Sequence, residues 1–339
     1  MFNIDKAFLN QKAAESGFIR DNLEKVFRLT DVLAFINEDP LLSKLLVLKG
    51  GTAINLTVFN LPRLSVDIDL DLDYKCSREE MIEIRGEIED TLMRYMYASN
   101  YYVHEQRQKE SHSLSSWVYR YQNAGGNQDN IKVEINYSMR QHVLPSHDAI
   151  VDIGFIGTTF RVNTLSPIEL FGSKIKALTE RTAARDIYDV HNMIKYGIFD
   201  DNDMDMLRKC VLFYRAVGGT GQFHEEIYLN SISDLSYRTI RQTLLPVLRK
   251  ETHIDLEEMK EEVLSYVSNL LVPTDSEWMF LHEFSKGNYE PSLLFDNYSI
   301  IDRVEGHPMA IWKCNKIRQT MEQEQRWRHE QKKGGMELS

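Results

Sequence analysis

The most regular alternation of polar and apolar positions in the chain lies in residues 63–74, RLSVDIDLDLDY. Aspartates occupy every second position from residue 67 to residue 73, with apolar residues between them. A period of two is typical of a β-strand with one buried face. The pattern therefore predicts a strand whose other face carries like charges about 7 Å apart, which repel one another. The row consists of Asp67, Asp69, Asp71 and Asp73, and we expect the last two to face solvent because the strand leaves the sheet there.

Apolar spacing also predicts the elements around this strand. Residues 5–38 follow a helical repeat, and residues 77–99 form a charged helix. Residues 44–60, KLLVLKGGTAINLTVFN, pass from a short apolar run through two glycines to a helical pattern, which predicts a strand, a tight turn and a helix. Residues 100–160 contain several alternating segments, and YQNAGGNQDN among them has the composition of a hairpin loop.

Helical patterns dominate after residue 165. The segment SPIELFGSKIKALTER places Ser166 at an N-cap, Pro167 at the first helical position and Glu169 three residues after the cap. This combination predicts a helix that begins with a capping box. RDIYDVHNMIKYG predicts a second helix that ends at a glycine, and further helices follow.

The order of these elements predicts an α+β protein, and a length of 339 residues suggests about two domains with extensions. We divide the chain into four parts. They are N-terminal helices at 1–40, an α/β core at 41–165, a helical domain at 166–320 and a polar, basic tail at 321–339.

Composition restricts the function classes. The net charge of −11 and the pI near 5.5 argue against a general nucleic-acid coat protein or a polybasic membrane binder. The three cysteines form no CxxC pair, so a zinc site built on thiolates is not expected. The N-terminus lacks the apolar core of a signal peptide, and no uncharged apolar run approaches about 18 residues. We therefore expect a cytoplasmic protein without a membrane partner.

Three interpretations of the aspartate row compete. A solvated strand face is the simplest of them. An EF-hand loop is excluded, because the sixth and twelfth positions counted from Asp67 hold Leu72 and Arg78 instead of glycine and glutamate. In the third interpretation, two carboxylates on one strand hold divalent ions that activate a hydroxyl group and bind a triphosphate for in-line displacement. Bound cations would also cancel the repulsion within the row.

The third interpretation needs a phosphate-binding turn nearby and is helped by a further carboxylate. Gly50, Gly51 and Thr52 lie between a predicted strand and a predicted helix, where backbone N–H groups can approach phosphate. Glu134 lies in the alternating segment IKVEINYS, on the same predicted face as Lys132. Glu134 is a candidate third metal ligand, although a single glutamate in a strand is more often a solvated residue.

These motifs resemble those of a known family. KGGTAINL at 49–56, followed by RLSVDID at 63–69, resembles the nucleotidyltransferases of the AbiEii/AbiGii toxin type, within the polymerase-β-like superfamily. ELFGSKIKALTERTAARDIYDV at 169–190 resembles that family's lysine motif followed by its R-D-x-x-D motif. HPMAIWKC at 307–314 is similar to a C-terminal segment that is common there. The motifs occur in the family's order along the chain.

The resemblance implies a polymerase-β-like core with a mixed sheet. It also implies an activity, the transfer of a nucleoside monophosphate (NMP) from an NTP with two Mg²⁺ ions, which Mn²⁺ can replace. Members studied as toxins disable translation by modifying tRNA, and an antitoxin is often encoded beside them. The implied partners are therefore an NTP, an RNA acceptor (tRNA in those members) and a cognate antitoxin, in a toxin–antitoxin or phage-defence system.

By matched position, the resemblance also assigns roles to residues of this chain. Lys49 precedes the glycines, and the three residues after it form the triphosphate loop. The assigned metal ligands are Asp67 and Asp69, the family's lysine is Lys174, and its last catalytic aspartate is Asp186 or Asp189.

The cationic residues of these motifs are candidates for binding phosphate groups. Lys174 could neutralise a triphosphate, although a lone lysine can equally be a solvated surface residue. Arg181 and Arg185 are four positions apart, which places them on one face of a helix. They could hold phosphate groups of the NTP or of RNA, or they could pair with Glu180 and Asp189.

Two residues before the aspartate row share its parity. Arg63 and Ser65 would then lie on the same strand face as Asp67 and Asp69. In that position Arg63 would offset the carboxylates, and Ser65 could contact phosphate.

The sequence leaves several alternatives open. The acceptor could be a protein hydroxyl group or a small molecule, and a non-catalytic nucleotide-binding interaction protein is a further alternative. Residues 313–333 carry seven basic and three acidic side chains around Trp327, a composition that suits either RNA contact or a solvated helix. The base of the NTP and the oligomeric state are not indicated.

Overall fold

The computed structural model describes residues 5–104, 109–111, 113–154, 157–218 and 227–336. The chain begins with the helices α1 (Lys6–Ser16) and α2 (Arg20–Glu38), followed by the short α3 (Leu42–Leu45). The predicted helical repeat is therefore present but interrupted at Gly17, whose φ of 76° is left-handed. Glycine adopts that conformation without a steric penalty, so it ends α1 and lets α2 start in a new direction.

A strand, a helical turn and a second strand follow, as predicted for residues 44–74. They are β1 (Leu46–Lys49), α4 (Gly50–Ala53) with a π-helical turn at Ile54–Val58, and β2 (Asp67–Leu72). The charged helix is α5 (Arg78–Ala98). The remaining strands are β3 (Tyr102–Val103), β4 (Lys109–Ser111), β5 (Leu114–Gln122), β6 (Gln128–Asn136), β7 (His147–Ile153) and β8 (Thr158–Thr164).

All eight strands form one mixed sheet. Its order is β3-β5-β6-β2-β1-β8-β7, and β4 also pairs with β5. β1 and β2 are antiparallel, whereas β2 pairs in parallel with β6 and β1 pairs in parallel with β8. The predicted hairpin joins β5 to β6. β2 therefore lies in the middle of the sheet, with neighbours on both sides that can contribute side chains to its polar face.

Helices make up the C-terminal half of the chain. They are α6 (Pro167–Glu180), α7 (Ala184–Lys195), α8 (Met204–Val217), α9 (Asn230–Ser233), α10 (Tyr237–Thr239), α11 (Leu256–Leu270), α12 (Asp275–Ser285), α13 (Tyr298–Val304) and α14 (Pro308–Met336). Among the described residues, no helix is both long enough and apolar enough to cross a lipid bilayer.

The hydrophobic core runs across the boundaries that we placed between the parts. One buried cluster extends from Leu9 in α1 through the sheet to Leu271 after α11. A second cluster, around Phe213, Phe280 and Phe295, holds the last helices against α8. The four-part division of the chain stays a prediction.

The start of α6 differs from the predicted capping box in one respect. The Ser166 hydroxyl accepts a hydrogen bond from the Glu169 N–H at 3.3 Å, as expected for an N-cap. The Glu169 carboxylate, however, turns away from the cap and accepts hydrogen bonds from the N–H groups of Val143 (2.6 Å) and Leu144 (3.1 Å). Buried backbone donors need a partner, and Glu169 supplies it to the loop after β6.

Candidate active site

The two assigned metal ligands lie on the central strand, facing a third carboxylate. In the parallel pairing of β2 with β6, Asp69 is opposite Glu134 and Asp67 is opposite Lys132. Residues paired in this way share a sheet face. The carboxylates of Asp67 and Asp69 make no hydrogen bond or ion pair within the described parts of the chain, whereas the Glu134 carboxylate is ion-paired with Lys132. The sequence could suggest Glu134 but not this register.

The electrostatics of this cluster favour a cation. Burial raises the pKa of Asp69, the Lys49 ammonium opposes this shift, and the carboxylates of Asp67 and Glu134 raise it further. Carboxylate oxygens are the donors that Mg²⁺ and Mn²⁺ prefer, so Asp67 and Asp69 fit a divalent ion. In the described residues no group of three His, Cys, Asp or Glu side chains converges on one point, because Glu134 is turned toward Lys132. The role of Glu134 as a ligand stays a prediction.

The second half of the aspartate row is not where we expected it. Asp71 is only 2% exposed and its carboxylate lies 2.5 Å from the Lys49 ammonium, so the expectation that it faces solvent is wrong. The reason is that β2 stays in the sheet to Leu72, paired with Leu46 of β1. Asp73 follows the strand, is half-buried, and lies 3.5 Å from Arg303. The Lys49 ammonium is therefore ion-paired with Asp71, and it is not free to bind a ligand beside the glycine turn.

The glycine turn packs directly against the carboxylates. Gly50 has a φ of 70°, and a Cβ atom there would lie 2.6 Å from an oxygen of Asp69. A Cβ atom on Gly51 would lie 2.7 Å from the Arg63 guanidinium. The Thr52 hydroxyl contacts the Ser65 hydroxyl at 2.8 Å and donates a hydrogen bond to the Asp67 carbonyl. Only glycine fits at the first two positions, so the turn brings bare backbone next to Asp69.

Substituting Gly50 with alanine is expected to reduce nucleotidyl transfer about 100-fold, because the added methyl group displaces the Asp69 carboxylate. The left-handed backbone should also cost about 1–2 kcal/mol of stability. The control is Gly197→Ala, where φ is 56° and the space around the Cβ position is open. Chemical denaturation should show a similar stability loss in both variants, and transfer assays should show an activity loss in Gly50→Ala alone. Equal activities in the two variants would contradict the prediction.

A buried ion network connects the turn to helices α6 and α7. The Lys174 ammonium lies 2.9 Å from Asp186 and 3.1 Å from Asp189. Nε and Nη2 of Arg63 each donate to one oxygen of Asp189 at 2.7 Å. Burial disfavours the charged forms, but the opposite charges of Arg63 and Lys174 hold the pKa of Asp189 below its usual value. The network therefore keeps all of its charges in a dry environment.

This network corrects two expectations. Lys174 is 8% exposed, so the alternative of a solvated surface lysine is wrong. Arg63 is 2% exposed and binds Asp189, so it does not offset the aspartates of β2. The parity argument fails because β2 begins only at Asp67. Ser65, placed by the same argument, is buried against Thr52.

Arg181 and Arg185 do not share a helical face. α6 ends at Glu180 and α7 begins at Ala184, so Arg181 lies in the bend between them. The Arg181 side chain is 64% exposed, and its Nε lies 2.7 Å from Asp186. The hydrogen bond to Asp186, opposed by burial, raises the pKa of Arg181, and the charge of Asp69 adds to this shift. Arg181 therefore lies between the ion network and the carboxylates of β2.

Arg185 has a different environment. Its Nε donates to the carbonyl of Thr243 at 2.9 Å, a contact with the segment after α10. Burial and the charge of Arg63 lower the pKa of Arg185, and Asp67 partly offsets this effect. The Glu180 carboxylate pairs with Lys176 at 2.7 Å and with neither arginine. Arg181 and Arg185 thus approach the β2 carboxylates from two separate elements.

Sequence reasoning missed a buried polar cluster behind Asp71. The Tyr214 hydroxyl donates to Glu169 at 2.5 Å and lies 3.2 Å from Nδ1 of His142. Nε2 of His142 lies 3.7 Å from Asp71. Burial raises the pKa of Glu169 to about 7 and lowers the pKa of His142 to about 4. The apparent capping box was the only local signal at Glu169, and it pointed to a different role.

The raised pKa of Glu169 predicts a pH dependence of stability. The folded state binds the Glu169 proton more tightly than the unfolded state, so this contribution falls as pH rises from the unfolded value of 4.5 to about 7. His142, with its lowered pKa, has the opposite slope below its ordinary value of 6.5. We therefore expect the difference in melting temperature between wild type and Glu169→Gln to decrease from pH 4.5 to pH 7. The decrease should correspond to about 2–3 kcal/mol in the free energy of unfolding.

Differential scanning calorimetry across this pH range measures that difference. The slope is the readout, since the substituted amide also weakens a hydrogen bond to the backbone and shifts the absolute melting temperature at every pH. His142→Gln serves as the matched control because it should remove a slope of the opposite sign. A difference curve that is flat for Glu169→Gln would contradict the assignment of a protonated, buried Glu169.

The C-terminal basic segment forms part of α14. His307, just before this helix, is buried with its Nε2 3.1 Å from the Gln141 carbonyl. Lys313 is 3% exposed, and Trp327 is 62% exposed. Residues 337–339 lie outside the described part of the chain, as do the side chains of Arg326, Arg328, Lys332 and Lys333. The choice between RNA contact and a solvated helix stays open for this segment.

Comparison with known proteins agrees with the geometry. The sequence matches the family described as nucleotidyl transferase AbiEii toxin, type IV TA system, over residues 32–281. The fold is similar to that of MenT4, a nucleotidyltransferase toxin from Mycobacterium tuberculosis H37Rv, with a TM-score of 0.57 and 16% sequence identity. This match covers 82% of the present chain and 94% of MenT4. No curated protein matches the sequence.

These matches confirm the predicted family, the α+β fold class and the enzyme class. The family match contains the glycine turn, β2 and the helices α6 and α7, which are the elements that build the site. Its description supplies the type of system, and it implies an NTP substrate and an antitoxin. The chain therefore belongs to the AbiEii family, as a nucleotidyltransferase toxin of a type IV toxin–antitoxin system.

Proposed function

We propose that the protein transfers NMP from an NTP to a hydroxyl group of RNA in the cytoplasm, with tRNA as the acceptor and with two Mg²⁺ ions, or Mn²⁺ in their place. The hydroxyl oxygen forms a bond to the α-phosphorus and loses its proton to solvent, while the bond between the α-phosphorus and the bridging oxygen breaks and pyrophosphate leaves. The observation that carries this proposal is a pair of carboxylates on β2, Asp67 and Asp69, that have no partner among the described residues. Asp69 lies opposite Glu134 and beside the glycine turn. The family resemblance supports the RNA acceptor and a role in phage defence.

Divalent cations, when bound, would neutralise the triphosphate and lower the pKa of the attacking hydroxyl group. Asp67 and Asp69 would hold them through hard oxygen donors, with Glu134 as the further ligand once it leaves Lys132. The turn at Gly50 and Gly51 lets the triphosphate approach the backbone, because no side chain intervenes.

Three cations near the carboxylates have different roles. Arg181 is the exposed one, held by Asp186 and close enough to Asp69 to respond to its charge, so it would contact the phosphate groups. Lys174 and Arg63 are buried and saturate both oxygens of Asp189. Asp186 and Asp189 therefore act as positioning residues that fix Arg181 and Lys174, instead of removing a proton from the acceptor.

The test is incubation of the purified protein with each NTP in turn, labelled at its α-phosphate, together with Mg²⁺ and total cellular RNA. The Asp67→Ala/Asp69→Ala variant and added EDTA are the controls. Label in a small-RNA band that both controls abolish is the expected result, and it identifies the base. Label in a polypeptide or in a small acceptor would replace RNA by that acceptor. NTP binding without transfer to any acceptor would indicate a non-catalytic nucleotide-binding protein and would overturn the proposal.

A further inference from the structure

A groove of about 970 Å³ lies at the corner of the sheet, next to the short edge strand β3. Its walls come from α2, the C-terminal end of α5, β3 and the β5–β6 hairpin. The side chains that matter for its chemistry are aromatic, cationic or amide groups. They belong to Arg28, Tyr101, Tyr102, Arg120, Tyr121 and Gln128, and one carboxylate, Asp31, also lines the groove.

One cation of the groove has no protein partner. The Arg120 side chain makes no hydrogen bond or ion pair in the described parts of the chain. The next residue, Tyr121, is 4% exposed, and its hydroxyl is buried in the wall on the opposite sheet face. Arg120 is therefore the group that a ligand in the groove can pair with.

Aromatic rings line the same groove. The Tyr102 ring is 55% exposed, and its centroid lies 6.1 Å from that of Tyr97, which is also exposed. The Arg28 guanidinium is 4.1 Å from the centre of the Tyr121 ring and 2.7 Å from the Glu24 carboxylate, so this cation is already paired within the wall. An exposed ring beside the unpaired guanidinium of Arg120 is an arrangement that stacks and charge-pairs with a nucleotide.

A polar row joins the groove to the carboxylates. Gln128 begins β6, and every second residue after it, Asn130, Lys132 and Glu134, shares its sheet face. On the neighbouring strand Arg120 is opposite Asn130, which brings it to this face as well. The row is free of acidic side chains until Glu134, which lies opposite Asp69. Six residues of strand separate Gln128 from Glu134, a distance of about 20 Å.

We propose that this groove binds a nucleotide of the acceptor RNA, in a single-stranded segment about 20 Å from the reacting hydroxyl group. The base stacks on Tyr102, and Arg120 contacts the phosphate backbone that leads to Asp69, as does Lys132 once Glu134 leaves it. The inference rests on the proposed function, and it explains how a protein with a net charge of −11 retains RNA, since binding needs local stacking and a few cations only.

The experiment measures RNA binding separately from transfer. The probe is a fluorescein-labelled single-stranded RNA of mixed sequence, about 12 nucleotides long, and the readout is fluorescence anisotropy without NTP. The Tyr102→Ala/Arg120→Ala variant should bind the probe about 10–100-fold more weakly than wild type and show a smaller salt dependence. Tyr102→Phe keeps the ring and should bind like wild type. The matched control Tyr298→Ala/Arg238→Ala removes the same residue types from exposed positions on α13 and α10 and should also bind like wild type.

The outcomes separate this inference from the proposed function. If wild type binds the probe, the groove variant does not, and no label enters RNA with any NTP, the groove stands and the proposed function fails. If label enters RNA and the groove variant binds and labels it as well as wild type, the function stands and the groove inference is overturned. Equal losses in the groove variant and the matched control would also overturn it, as would tighter capture of an acidic peptide than of RNA.

Discussion

Replacing Asp69 with asparagine is expected to reduce nucleotidyl transfer about 10³-fold and, in EDTA, to raise the melting temperature by about 2 °C. Both effects have the same cause. Asp69 is desolvated and faces the charges of Asp67 and Glu134, so in the absence of a cation its own charge is unfavourable. A residue that destabilises the free protein and is needed for the reaction is typical of an active site.

The measurements for Asp69→Asn are transfer of label from NTP and thermal unfolding, each with EDTA and with Mg²⁺. In Mg²⁺ the order of stabilities should reverse, because only the wild type gains stability from the bound ion. Asp73→Asn is the matched control from the same sequence row, since Asp73 lies past the end of β2 and pairs with Arg303. Full transfer activity in Asp69→Asn, or an equal loss of activity in Asp73→Asn, would contradict the assignment of Asp69 as a metal ligand.

The elements that build this site could be predicted from sequence because their signals are local. Alternation over six residues defines β2, and two adjacent glycines define the turn before it. The hairpin between β5 and β6 follows from the Gly/Asn composition of its loop. β7 was not singled out within the β-rich region, because it pairs with β8 along the other side of the sheet and shows no separate motif.

The partners of the charged residues could not be predicted in the same way. Arg63 binds Asp189 across 126 positions of sequence, and Lys49 binds Asp71 across 22. Strand parity suggested that Arg63 faces the β2 carboxylates, but parity has no meaning for a residue outside the strand. Asp69 lies opposite Glu134 because β2 pairs with β6 in one particular register. The sequence of either strand alone does not determine that parallel register.

The same comparison separates two pairs of carboxylates. Asp67 and Asp69 have no partner in the described parts of the chain and so remain available to cations. Asp186 and Asp189 are each bound by two cationic side chains, which supports the proposed positioning role. The sequence motifs place all four acids in one site, and only the three-dimensional contacts divide them into two groups.

Replacing Asp189 with asparagine should lower the free energy of unfolding by about 3–5 kcal/mol, because it leaves the buried guanidinium of Arg63 without its counter-ion. Transfer activity should fall as well, since Lys174 loses one of its two carboxylates and the Arg63 side chain, against which Gly51 packs, loses the charge that fixes its position. Chemical denaturation and the labelled-NTP assay measure the two effects. Arg181→Ala is the contrasting variant, expected to cost under about 1 kcal/mol because that side chain is 64% exposed, while still reducing transfer.

The double variant Arg63→Leu/Asp189→Leu separates the charge effect from the packing effect. Removing both partners leaves no uncompensated charge, so part of the stability lost in Asp189→Asn should return, whereas activity should not. Recovery of stability without recovery of transfer would mean that the pair exists to position the turn and Lys174, not to hold the fold together. If Asp189→Asn is as stable as Arg181→Ala, the buried network contributes less to the free energy of unfolding than its geometry indicates. A direct chemical role for Asp189 then becomes the better explanation.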